Sequence, residues 1–378
     1  MNMTIEGKIG IRSSHNARRL RMALLGLACL AALSMAASAQ TYIEFNVPGA
    51  GTAFPLSINT GDAITGYYLD ASGSNHGFVG AAGGTITSFD VSGAFGTAAH
   101  SINSAGVIAG LWSDENAVHH GFVRSADGTI TSFDDPNAGR NIQQGTLPES
   151  INTAGVIAGY YIGKGKHGFV RSASGTITNF DAPGASGTLA FSINTGGAIA
   201  GYYADNGSPQ PVYHGFVRSA NGTITTFDAP GAGTSHNNVY VQGTFPLSIN
   251  DDGMIIGYYV DSSDGFHGFV RSASGTITTL DAPGAGTGRS PLNGYQLGTK
   301  ALSVNNDEAI TGYYIDANEV YHGFMVSASG AITTFNAPGA GTTEATGTFS
   351  ISINNNGVIV GYYNEVSGYV YHGFQLTP

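Results

Sequence analysis

Residues 41–52 read TYIEFNVPGAGT, a phrase that elsewhere in the chain closes a repeated unit: TITNFDAPGASGT from Thr176, TITTFDAPGAGT from Thr223 and AITTFNAPGAGT from Ala331. A closing phrase at the head of the repeats makes sense if one unit is divided between the two ends. Two triplets mark the units. Ser-Ile-Asn begins at Ser57, Ser101, Ser150, Ser192, Ser248 and Ser352, with Ser303-Val304-Asn305 as a close variant, and His-Gly-Phe begins at His76, His120, His167, His214, His267, His322 and His372. Successive histidines of the second triplet are 44, 47, 47, 53, 55 and 50 residues apart. A period near fifty is long enough for a four-stranded blade.

Within a unit, Asn152-Thr153-Ala154-Gly155 reads as a turn that ends a first strand in Ser-Ile-Asn. The β-branched and aromatic run Val156–Tyr161 is a second strand, His167–Arg171 a third and Thr176–Asp181 a fourth. No helical periodicity runs through the units, and glycine and proline punctuate them densely, so the expected class is all-β. Counting fourth strands after each His-Gly-Phe leaves the last unit without one. Thr41–Asn46 supplies it, which predicts a seven-bladed β-propeller closed by its N-terminal strand, a device that removes exposed sheet edges. In each second strand Ile-x-Gly, as at Gly159, predicts close approach by a bulky group from the adjacent blade.

Arg18, Arg19 and Arg21, the apolar run Met22–Leu33 and Ala37-Ser38-Ala39 have the order of a secretory signal peptide, so residues 1–39 are expected to be a removed leader and residues 40–378 a single secreted domain, extracellular or periplasmic. Cys29, the only cysteine, falls in the leader. Residues 40–378 then hold nine basic and 24 acidic residues, a net charge of −15. That balance argues against nucleic acid and anionic membrane as partners. No apolar run is long enough to span a bilayer, and a monomer is expected.

The residues resemble the bacterial extracellular HAF-repeat proteins. Ile151-Asn152-Thr153-Ala154-Gly155 through Gly159, followed by His167-Gly168-Phe169, is similar to that family's pattern, with glycine for its alanine, and all seven units carry the match. The resemblance implies secretion and a repeat fold and brings no catalytic residues. Phe-Asp-Ala-Pro-Gly-Ala departs from the family's wording.

Function is expected where the repeats differ, on the face bearing the variable loops. The residue before each Ser-Ile-Asn is Leu56, His100, Glu149, Phe191, Leu247, Leu302 or Ile351, so two neighbouring units place titratable groups at the channel mouth. Near them in sequence lie Trp112, the only tryptophan, then Asp114, Glu115, His119, Asp135 and Arg140, an aromatic platform with carboxylates that suits a sugar. A second patch is the long loops 231–245 and 284–300, with His236, Asn237, Asn238, Tyr240, Arg289, Asn293 and Tyr295. The seven triplet histidines are read as structural, because one per blade cannot converge on one metal. Asp251-Asp252-Gly253 and Asp261 to Asp264 lack the alternating ladder of a calcium loop, so no metal or cofactor is expected. The first expectation is a binding or interaction module for carbohydrate or protein. The alternatives are a polysaccharide hydrolase or lyase using Glu149 with His100 or Asp135 as acid and base, and a structural surface or matrix component.

Overall fold

Short runs of β-branched and aromatic residues between glycine turns fold as strands where the sequence places them. The computed structural model describes residues 40–81, 83–365 and 370–378; the expected leader lies outside these. Residues 41–378 form one unit by themselves. Among the described residues the regular structure is 28 strands and no helix, repeating as four-stranded antiparallel meanders. One such unit is Gly145–Ile151, Ile157–Ile162, Lys166–Arg171 and Ile177–Phe180, paired in that order. Single parallel pairings such as Gly145 with His119 join neighbouring units. Among the described residues the strands are thereby linked into one 24-stranded sheet, with a separate four-stranded sheet at 52–89 and no closed sheet.

Each first strand carries a register shift just before its Ser-Ile-Asn, as between Pro148 and Ser150. The extra residue breaks the alternation of faces. It also presses the backbone onto the glycine of the second strand: a Cβ at Gly159 would collide with the Leu147 carbonyl oxygen and lie 2.9 Å from Pro148 Cα and Phe169 Cζ. The space at this glycine is therefore filled by the first and third strands of its own unit, which corrects the expectation of a group from the adjacent blade. A second glycine, in His-Gly-Phe, lies beneath the fourth-strand phenylalanine, with a Cβ at Gly168 only 2.7 Å from Phe180 Cζ.

The phenylalanine of each His-Gly-Phe is buried at the centre of its unit. In six units it meets the fourth-strand ring of the preceding unit edge to face, as in Phe133 with Phe169 and Phe180 with Phe216, centroids 6.3 and 6.0 Å apart; before Phe324 the fourth strand carries Leu280 instead. Such pairs contribute about 0.5–1.5 kcal/mol beyond their burial. In six units the histidine of the triplet stacks on a second-strand tyrosine, with Trp112 in that place beneath His120. Six of the seven histidines hydrogen-bond a residue fourteen positions on, the exception being His372, which faces Glu44. His167 lies on Tyr161 with centroids 5.0 Å apart, and its Nδ1 is 3.0 Å from Asp181. This geometry gives the histidines a structural task within each unit.

Two features connect the ends of the chain. Thr41–Phe45 pairs antiparallel with Tyr371–Thr377, placing Phe45 opposite Gly373 as Phe180 stands opposite Gly168. In addition, every Ser-Ile-Asn asparagine, and Asn305 of the variant, donates Nδ2 to the main-chain oxygen of the next unit's asparagine. The series runs from Asn59 through Asn103, Asn152, Asn194, Asn250, Asn305 and Asn354, which donates back to Asn59.

Candidate functional site

Because of the bulge, the residue before each Ser-Ile-Asn and the serine itself are both partly exposed, while their neighbours on the strand are buried. The serine oxygen accepts the main-chain N–H of the next unit, as from Ile151 to Ser101 at 3.2 Å. The bulged residue remains available to the space between first strands. His100 and Glu149 meet there, Nδ1 to Oε2 at 3.5 Å, and His100 Nδ1 also lies 3.1 Å from the Pro148 carbonyl. Burial works to lower the His100 pKa, but the Glu149 carboxylate and the carbonyl outweigh it and the net direction is up. The pair expected from sequence is thus brought together.

The rest of the first patch is arranged differently. Trp112 occupies the position of the stacked tyrosine, with His120 against its face at a centroid distance of 4.3 Å and an interplanar angle of 21°. Its Nε1 is buried with no hydrogen-bond partner among the described residues. One face of the expected aromatic platform is therefore covered by the histidine of its own unit. Asp114 caps its own loop, accepting the N–H groups of Asn116 and Val118. Burial pushes the His119 pKa down.

Asp135 stands where other units carry alanine or valine and is 2% exposed. Its Oδ1 accepts from Asn137 N at 2.8 Å and Asn179 Nδ2 at 3.2 Å, while Oδ2 has no partner among the described residues. Asp135 and the exposed Arg140 line a cleft of about 90 Å³ with His119 and His120; Glu149 and His100 are not among its lining residues. Of the two pairings in the hydrolase expectation, Glu149 with His100 is therefore brought together, whereas Asp135 lines a cleft that Glu149 does not reach.

In the second patch the two long loops are fastened to each other. Arg289 makes a two-pronged ion pair with Asp264, its Nε at 2.8 Å, and lies over the Tyr240 ring at 4.0 Å. Gln242 donates to the same carboxylate at 3.1 Å, and Asn238 hydrogen-bonds it too. Arg289 and Asp264 therefore clamp the loops, and Arg289 is not a free donor for a ligand. Asn293 bridges Glu319 and Glu344 at 2.6 and 2.7 Å. His236 turns elsewhere, toward the Gln210 carbonyl at 3.0 Å and Asp205 at 3.5 Å. Asp251 and Asp261 serve loops as well, Asp251 accepting Thr195 N and Asp261 the N–H groups of Ser263 and Gly265. Among the described residues no group of three or more acidic, histidine or cysteine side chains is arranged to hold a metal ion.

Tyr240 and Tyr295 do share a cavity, of about 370 Å³, whose walls include Phe266, Tyr313, Gln296 and Lys300. Tyr295 is 60% exposed at its edge. In sequence order Lys300 is only the last residue of the loop 284–300. It pairs with Tyr313 across the ladder, a register held in the other units by Phe54, Ala98, Leu147, Leu189, Phe245 and Phe349. A strand-by-strand alignment of the repeats would have exposed it as the one charge at an otherwise apolar position.

No protein-family profile matches the chain, and no characterised protein sequence does. Solved structures similar to it include TolB from Acinetobacter baumannii, at 12% identity and a TM-score of 0.44 over 71% of this chain and 62% of that one. A lectin from Burkholderia pseudomallei is 8% identical, with a TM-score of 0.49 over 85% of this chain and 98% of that one. The acylaminoacyl peptidase of Pyrococcus horikoshii is 8% identical, with a TM-score of 0.49 over 82% of this chain and 49% of that one. This chain thus spans less than two thirds of the TolB and peptidase chains. Similarity at this level identifies no family, and the case for function rests on the cavities.

Proposed function

We propose that the chain is an exported saccharide-binding module of the HAF-repeat type, built on a seven-bladed propeller closed by Thr41–Phe45, with its site in the Tyr240–Tyr295 cavity. The carrying observation is that cavity, about 370 Å³ and walled by Tyr240 and Tyr295 from the loops that vary between units together with the strand residues Phe266, Tyr313 and Tyr321. Its size falls in the range of small-ligand sites, and tyrosine rings suit sugars because they offer an apolar face beside a hydroxyl. Support for seven blades comes from the asparagine series, in which the last donor returns to the first acceptor. A second cavity of about 210 Å³, lined by Ile-Asn or Val-Asn pairs from all seven units, agrees with it. Phe45 over Gly373, its Cε2 2.6 Å from where a Cβ would be, is what a fourth strand supplied from the N-terminus requires.

A glycan-array screen on residues 40–378, run beside Tyr295→Ala, tests the reading. Saccharide binding that Tyr295→Ala abolishes is expected. Binding that survives in Tyr295→Ala but fails in Glu149→Gln would move the site to the His100 pair, and no binding to any glycan would refute the proposal.

A further inference from the structure

Lys300 is the feature of the cavity that a neutral sugar leaves unexplained. Its Nζ lies 3.8 Å from the Phe266 ring centroid and 4.7 Å from that of Tyr258. Ring faces attract a cation but accept no hydrogen bond of ordinary strength. Among the described residues no ion pair or hydrogen bond engages this ammonium group, and burial pushes its pKa down to about 8. A second unmatched donor lines the same cavity: Gln296 Nε2 is buried with no partner among the described residues. Arg289 is already committed to Asp264, so among the described residues Lys300 is the one cation lining the cavity, beside Gln296 and tyrosine hydroxyls.

Two donors beside aromatic walls match a group with two acceptor oxygens and one negative charge, carried on a ring. A carboxylate meets that description. Phosphate and sulfate present more acceptor oxygens, and the net charge of −15 over residues 40–378 opposes a densely charged polyanion. Charge-assisted hydrogen bonds are roughly twice as strong as neutral ones, so a carboxylate would be selected over the hydroxymethyl group in its place. We infer that the Tyr240–Tyr295 cavity takes the uronate residue of a saccharide, the carboxylate meeting Lys300 and Gln296 and the sugar ring lying against the tyrosines. This inference rests on the saccharide reading of the cavity and names the sugar class.

Isothermal titration of residues 40–378 with glucuronate, galacturonate and mannuronate, against glucose, galactose and mannose, provides the test. At least one uronate is expected to bind about tenfold or more tightly than its neutral counterpart. Lys300→Met should remove that preference, and Lys300→Arg, which keeps the charge, should retain most of it. Near-ultraviolet circular dichroism of both variants verifies folding. Equal affinity for uronates and neutral sugars, unchanged in Lys300→Met, would overturn the inference while leaving the saccharide reading intact. Cyclohexanecarboxylate binding as tightly as any uronate, with the same dependence on Lys300, would overturn both by showing that the sugar hydroxyls are not read. Binding to no sugar of either kind would also overturn both.

Discussion

Replacing Asn152 by alanine tests the feature that ties the units together. Asn152 is 5% exposed; its Oδ1 accepts from Ala154 N and Val156 N, both at 3.0 Å, and its Nδ2 donates to the Asn194 carbonyl at 3.0 Å. Each such bond contributes about 1 kcal/mol net, so Asn152→Ala should destabilise by about 3 kcal/mol. Asn152→Asp keeps the two acceptor bonds of the turn and loses the donor to the next unit, which isolates the inter-unit part at about 1–3 kcal/mol. Asn237→Ala, at an exposed loop position, is the control and should change stability by less than about 0.5 kcal/mol. Urea unfolding followed by both circular dichroism and Trp112 fluorescence reads these values, and coincident transitions would justify a two-state treatment. If Asn152→Ala lost no more than Asn237→Ala, the asparagine series would not be holding adjacent units, and the support it lends to ring closure would go with it.

Phe45→Ala should destabilise by about 3–5 kcal/mol, because this 6% exposed ring covers Gly373 and meets Phe78; a near-zero effect in urea would mean that the N-terminal strand is peripheral. Gly159→Ala should reduce soluble expression sharply, since its Cβ collides with main-chain atoms of the neighbouring strand; full recovery of folded protein would contradict the packing described for the bulge. Hydrogen bonds accepted by Asp90, Asp228 and Asp281 raise the pKa values of His76, His214 and His267 against the opposing effect of burial. Raised histidines stabilise fully below their unfolded value of about 6.5 and lose that stabilisation as pH rises through the folded value. His119, lowered by burial, works the other way. The thermal midpoint should therefore fall as pH rises from about 6 to 8, and Asp228→Asn should flatten the fall; identical slopes would refute the assignment. At the acid end, Asp70 is held low by Ser72 and Ser74, and Asp114 by the Val118 N–H. Their contribution is present above about 3.9 and lost as pH falls through the folded values, which scanning calorimetry between pH 2 and 5 measures.

The repeat was legible because each unit must satisfy the same local demands. Asn152 begins a turn that Gly155 completes with a positive φ of 76°, and the strand between Val156 and Tyr161 has to bury a face. These requirements act within a few residues, so they leave a pattern in sequence order. The bulge did not announce itself, since Pro148-Glu149-Ser150 has no signature distinguishing an extra residue from regular alternation. Regular alternation without the bulge points the space at Gly159 toward the adjacent blade, whereas Leu147, Pro148 and Phe169 of its own unit fill it.

The candidate site divides along the same line. His100 and Glu149 occupy matching positions in adjacent units, so repeat arithmetic alone placed them together. Trp112, Asp135 and Arg289 stand out in sequence by their chemistry, but their partners are His120, Asn179 and Asp264, which only packing brings to them. Sequence by itself determined an all-β array of about fifty-residue units with a fourth-strand phrase at its head, because backbone turns and alternating burial are local. Tertiary structure decided which polar groups are already satisfied and which are left open. Arg289 is neutralised by a loop 25 residues away, whereas Lys300 and Gln296 reach the cavity with no acceptor among the described residues. Electrostatic and hydrogen-bond complementarity depends on distance in space, and separation along the chain does not encode it.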